Sequence, residues 1–176
     1  MLRRAQGRPA ECLPTLEAVA HQYPDYVVLR CAVAAVSLDA GRPGRTREIV
    51  DDFAAGGFAL AEDETWLFAM SFLGEAAAGI GDAGASASLY ELLLPYETHV
   101  AMAPPDGCNG AVARHLGLLA ESLGRHEDAV RHLRRGIEID ERMGAALFAE
   151  AGERALARLG AGPTSRSRSG RTPSAT

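Results

Sequence analysis

The hexapeptide GIGDAG at residues 79–84 sets Gly79, Gly81 and Gly84 in the Gly-x-Gly-x-x-Gly spacing. That spacing lets a backbone approach a dinucleotide pyrophosphate, provided a buried strand leads in and a helix leads out. The residues before it do not read as a strand. Apolar side chains fall at Trp66, Met70, Leu73, Ala77 and Ile80, steps of four and three, which is a helical period. From Trp66 to Gly79 there is no Val, Ile or Thr, the residues in which a buried strand is rich. The motif therefore predicts a turn between two helices, with Gly81 closing the first through a positive φ.

Other residues capable of chemistry do not assemble into a catalytic pattern. His126 and His132 are six apart, which on a helix separates them by about 120°, so they cannot share a metal as histidines four apart do. His21, His99 and His115 stand alone in sequence and read as surface or capping residues. Cys12, Cys31 and Cys108 are odd in number and without paired spacing; this predicts no disulfide framework and favours a reducing cytoplasm. Cys108 has no basic neighbour in sequence to lower its pKa and reads as inert. No carboxylate pair is singled out for acid-base work. The expectation is a chain that is not an enzyme, with no catalytic residues, no cofactor and no metal.

All eighteen basic residues are arginine, and the 47% hydrophobic content is carried by alanine and leucine with only 6% aromatics, which suits closely packed helices. Without lysine there is no Walker A loop. The longest nearly uncharged apolar run, Trp66 to Gly74, is far below the roughly 20 residues that span a bilayer. The amino-terminal MLRRAQGRPAE lacks the apolar core of an export signal. From Glu48 to Asp106 the chain holds eleven acidic residues and no arginine, a block that reads as a solvated face or as a docking surface for a basic partner. Arg131, Arg134 and Arg135 could meet phosphate, but Glu127, Asp128, Glu138, Asp140 and Glu141 lie within the same turns and predict pairing along a solvated helix.

The elements that would position these residues are helices over about 9–22, 25–40, 44–55, 63–79, 83–95, 110–123, 126–140 and 143–159, the last a solvating cap. Gly7, Gly41, Gly81 and Gly124 recur at the helix ends at intervals of 34, 40 and 43 residues, the period of stacked helical hairpins. Seven before each turn stands a small residue (Ala34, Gly74, Gly117). Five after comes a second small one (Cys12, Ser86, Ala129, with Thr46 slightly large), and nine after an apolar one (Leu16, Val50, Tyr90, Leu133). Small residues let paired helices approach while the larger ones fill the space beside them. One all-α repeat domain over residues 1–160 is predicted, followed by a Ser/Arg-rich tail over 161–176 that reads as disordered.

The glycine period and these packing positions agree with a tetratricopeptide repeat, and hence with a right-handed solenoid of antiparallel helix pairs. The stretches DETWLFAMSFLGEAAAGIGDAGASASLYELLLPYETHVA and GAVARHLGLLAESLGRHEDAVRHLRRGIEIDERMGA resemble the carboxy-terminal helical-repeat region of large bacterial regulators. In those, an ATPase module is joined to a nucleotide cyclase or to a LuxR-type helix-turn-helix. The resemblance implies a non-catalytic scaffold for protein–protein interaction in cytoplasmic signalling or transcription control. Its partners would be a protein or peptide segment, or the ATPase, cyclase or DNA-binding modules that this chain lacks. The alternative is a regulator that binds nucleic acid or nucleotide directly. In such repeats the first helix of each pair lines the concave groove, which would place Phe68, Ser71, Glu75 and Ala78, then Arg114, Leu118, Glu121 and Ser122, against a partner. The lysines and asparagines of a carboxylate clamp are missing there, so a mixed apolar and acidic groove for a helix or extended segment is expected. The connection 96–109 is longer than a repeat needs, and its VAMAP segment is expected to fold back toward that groove.

Overall fold

The computed structural model describes residue 4, residues 6–105 and residues 107–160; the tail 161–176 lies outside the described residues. The chain is mostly helical: α1 (Pro9–Gln22), α2 (Val27–Asp39), α3 (Pro43–Ala55), α4 (Trp66–Gly79), α5 (Ala83–Leu93), α6 (Val112–Ser122), α7 (His126–Arg142) and α8 (Ala146–Arg158). A short 3-10 turn, Leu94–Tyr96, leads from α5 into a two-stranded antiparallel hairpin of β1 (Val100–Ala103) and β2 (Gly107–Ala111). No helix among the described residues is long and apolar enough to cross a membrane.

Each helix packs on the next in sequence, and α2, α4 and α6 also stack directly on one another. Pro9 and Pro43 open α1 and α3, where a missing N–H costs nothing and the fixed φ is already helical. The GIGDAG segment is a helix–turn–helix: α4 runs into Gly79, Gly81 takes φ +68°, and the Asp82 side chain accepts a hydrogen bond from Ala85 N at 2.9 Å to cap α5. A Cβ at Gly79 would stand 2.1 Å from Leu38 Cδ2 on α2, so the Leu38 side chain would have to turn aside to admit one.

The packing positions read from the sequence fall where helices cross. Ala34, Thr46, Val50, Ser86, Ala129 and Leu133 are fully buried, and Tyr90 nearly so. Thr46 is not oversized for its place, because its Oγ1 donates to the Ala34 carbonyl at 2.9 Å. The central helix α4 is buried almost all round, from Trp66 to Ala77, so it lacks the one-sided pattern of a surface helix.

The connection 96–109 is not an irregular loop. Ala101 and Ala103 turn inward and Met102 outward, a period of two, and the paired strands lie against α4, α6, α7 and α8. Four- and five-residue strands built from Ala, Gly, Cys, Asn, Met and one Val carry little strand propensity, so burial against the helices defines this hairpin.

Candidate functional site

The hairpin covers the inward face of α4, and the four side chains expected on that face divide into two sets. Phe68, Ser71 and Glu75 are buried, while Ala78 is partly exposed. On α6, Arg114 is buried; Leu118, Glu121 and Ser122 are half-buried, and Ser122 Oγ donates to Ser86 Oγ at 2.9 Å, facing α5. The expected groove is thus partly filled by the chain's own strands. Asn109 Nδ2 donates to Ser71 Oγ at 3.0 Å, and Ser71 Oγ donates to the Phe68 carbonyl at 2.7 Å.

Under the hairpin sits a buried ionic cluster. Glu75 Oε1 accepts from Arg114 Nη2 at 3.0 Å, and Glu75 Oε2 accepts from Arg4 Nη2 at 2.5 Å. Arg4 also donates to Asp39 at the end of α2. Arg114 Nη2 and His115 Nε2 both donate to the Asn109 carbonyl, at 2.6 and 2.9 Å. Ala111 N donates to Asp140 Oδ1 at 2.9 Å. Side chains of α6 and α7 thereby satisfy backbone groups of β2 that would otherwise be buried and unpaired.

Burial alone would raise the Glu75 carboxyl, but the guanidiniums of Arg4 and Arg114 outweigh it and hold its pKa at about 2. His115 is the opposite case. Burial, reinforced by the positive charge of Arg114 and opposed by Glu75, pushes its pKa down to about 3, so the ring is neutral. His115 is fully buried, which corrects the expectation of a surface or capping residue; its role is to pin the hairpin, and a contact made only in three dimensions leaves no trace in sequence. His21 and His99 are exposed as expected.

His132 is also buried. Its Nδ1 meets Glu97 Oε1 at 2.7 Å and its Nε2 meets Tyr90 Oη at 2.8 Å, while His126 is exposed at the start of the same helix. Among the described residues no group of three or more His, Cys, Asp or Glu stands ready to hold a metal. Burial raises the Cys31 thiol to about 12, and Cys108 accepts a hydrogen bond from Gly110 N at 3.3 Å.

Several of the charges expected on the surface are paired, most of them at exposed positions. In the acidic block, Asp52 pairs with Arg30, Glu48 with Arg45, Asp82 with Arg47, Glu75 with Arg4 and Arg114, and Glu97 with His132. On α7, Arg131 pairs with Asp128 and Arg135 with Glu138, as the spacing suggests. Asp140 departs from that surface pairing, since it is fully buried and holds the hairpin.

Beside the cluster opens a cleft of about 740 Å³. Arg4, Gly7 and Pro9 line one side, and Leu147, Phe148, Ala151 and Arg154 of α8 the other. Asp39, Glu75, Asn109 and Arg114 complete the lining. The Arg114 guanidinium lies 5.6 Å from the centre of the Phe148 ring, a cation–π contact that holds both in place. Sequence reasoning found Glu75 and Arg114 but not Arg4, Asn109 or Phe148. No family model, curated protein or solved structure matches this chain, so the fold and this cleft carry the functional reading.

Proposed function

We propose that this chain is a tetratricopeptide-like right-handed solenoid acting as a non-catalytic interaction module of a cytoplasmic bacterial signalling or transcription regulator, and that a segment of a partner protein docks in the cleft lined by Arg4, Gly7 and Pro9 and by α8. The cleft is the observation that carries this reading. It combines an apolar wall with a few fixed polar groups at its floor, the composition of a recognition site. The repeat geometry supports the scaffold: Gly7, Gly41, Gly81 and Gly124 all take φ near +70°, and Gly160, 36 residues after Gly124, extends the series.

The buried ionizable groups support a non-catalytic role. Glu75, Arg114 and His115 are engaged with one another and with backbone, contacts that fix structure. A photo-crosslinking residue at Leu147, tested in host lysate beside one at Glu91 on α5, separates the cleft from the rest of the surface. A partner captured from position 147 and absent from position 91 is expected, and equal capture from both overturns the cleft. A parallel titration with ATP, NAD and duplex DNA tests the alternative, and saturable submicromolar binding of any of them overturns the scaffold reading.

A further inference from the structure

The charges around the cleft specify the sign of what enters it. Asp39 and Glu75 are already satisfied by Arg4, and Glu75 by Arg114 as well, so neither offers a free anion to an incoming base. Counting the lining side chains, three arginines face two carboxylates, an excess of one positive charge. Arg154 supplies that excess. Its ion pair with Glu150 is 3.8 Å long with both side chains largely exposed, a pairing that competes poorly with a better acceptor. At the floor Arg114 is 94% buried, its Nη2 is held by Glu75 and the Asn109 carbonyl, and its Nε is enclosed by the fold, which leaves Arg154 as the accessible cation of the cleft lining.

The apolar side is equally defined. Leu147, Ala151 and Arg154 fall at i, i+4 and i+7 along α8 and so form one stripe, with Phe148 beside it. Leu147 is 58% exposed, the most exposed large hydrophobic among the described residues. Resting on the docking role proposed above, we infer that the cleft takes an acidic peptide segment of a partner protein, in which an apolar side chain covers Leu147 and Phe148 and a neighbouring Asp or Glu pairs with Arg154. The chain's own residues 161–176 have the wrong sign for this place, since their charged side chains are Arg166, Arg168 and Arg171.

The test is a selection of randomised nine-residue peptides displayed on phage against the immobilised full chain, followed by anisotropy titrations of the enriched peptides in solution. Enriched sequences should pair an apolar residue with a nearby Asp or Glu. Their affinity should drop by about tenfold or more in Arg154→Glu and in Leu147→Asp, both at exposed positions, and stay unchanged in Glu91→Arg. Circular dichroism melts confirm that each variant is folded. Enrichment of Lys- or Arg-bearing peptides that still depend on Leu147 overturns the acidic preference and leaves the docking role standing. No enrichment, or binding indifferent to Leu147→Asp, overturns both. A concentration-dependent dimer abolished by Leu147→Asp in sedimentation assigns the cleft to a second copy of this chain and overturns the proposal.

Discussion

A Cβ on Gly117 would stand 2.5 Å from Leu133 Cγ and 3.1 Å from Leu133 N, so α6 and α7 meet at a point with no room for even a methyl group. The same two sequence positions in the preceding pair hold Gly74 and Tyr90, but a Cβ on Gly74 would meet Leu93 and Leu119, each at an ordinary 3.6 Å, so the crossing without room is that of α6 and α7.

Gly117→Ala should therefore lower stability by about 1–3 kcal/mol, although replacing glycine inside a helix ordinarily gains up to about 1 kcal/mol. Gly44→Ala is the matched control: it lies in the first turn of α3 with nothing within 4 Å of the added Cβ, and it should be neutral or stabilising. Urea unfolding should show a loss in Gly117→Ala and none in Gly44→Ala if the crossing is as tight as described, and a stabilising Gly117→Ala refutes it.

The helices and their crossings were legible because they rest on local periodicity and on glycines at fixed distances from one another. Gly81, Ala129 and Leu133 could each be placed by counting. The polar floor was legible only in part. Glu75 and Arg114 were placed on the concave groove, against a partner; that they pair with each other under a hairpin was not legible, because the pairing joins residues 39 apart in sequence and the hairpin is made of residues with little strand preference. His115 and Asp140 were misassigned for the same reason. Their types suit a solvated helix, and only the arrival of β2 turns them into buried anchors.

Acid should weaken the fold in two overlapping steps. His115 has a folded pKa of about 3 against an ordinary 6.5, so the unfolded chain takes up a proton first, and the stability from keeping His115 neutral is lost as pH falls from about 6.5 toward 3. Glu75, held at about 2 against an ordinary 4.5, contributes stability that is full above 4.5 and is lost as pH falls toward 2. Unfolding free energy measured from pH 7 to 3 should decline over this range, and His115→Gln should flatten the portion between about 6.5 and 4.5. An unchanged slope in that variant places the titrating group elsewhere.

Asp140 has the reverse electrostatics. Burial raises its pKa, the hydrogen bond from Ala111 N and the charge of Arg114 only partly oppose this, and Oδ2 has no partner. Its charged form thus costs stability at neutral pH, and the cost is relieved as pH falls. Asp140→Asn keeps an oxygen for Ala111 N and should match or exceed the parent at pH 7. Asp140→Ala leaves that N–H buried and unpaired, and should lose about 1–3 kcal/mol. Hydrogen exchange resolved to residues 100–111 should show the hairpin opening more often in the alanine variant; equal protection in both means that Asp140 does not hold β2.

The position of the hairpin also depends on its entry point. His132 on α7 bridges Tyr90 on α5 and Glu97, the residue just after the 3-10 turn, through contacts of 2.8 and 2.7 Å. Because His132 is buried, each ring nitrogen needs its partner, and removing one leaves the other to orient the ring alone. Tyr90→Phe should cost about 1 kcal/mol, and so should Glu97→Ala, with the double variant departing from additivity by about 0.5 kcal/mol or more. Strict additivity in a urea double-mutant cycle means that the three side chains are neighbours without acting as a unit. The hairpin's base would then be fixed by the Trp66–Tyr96 ring contact, whose centroids are 5.2 Å apart, and Tyr96→Ala would be the variant that releases residues 100–111 to exchange.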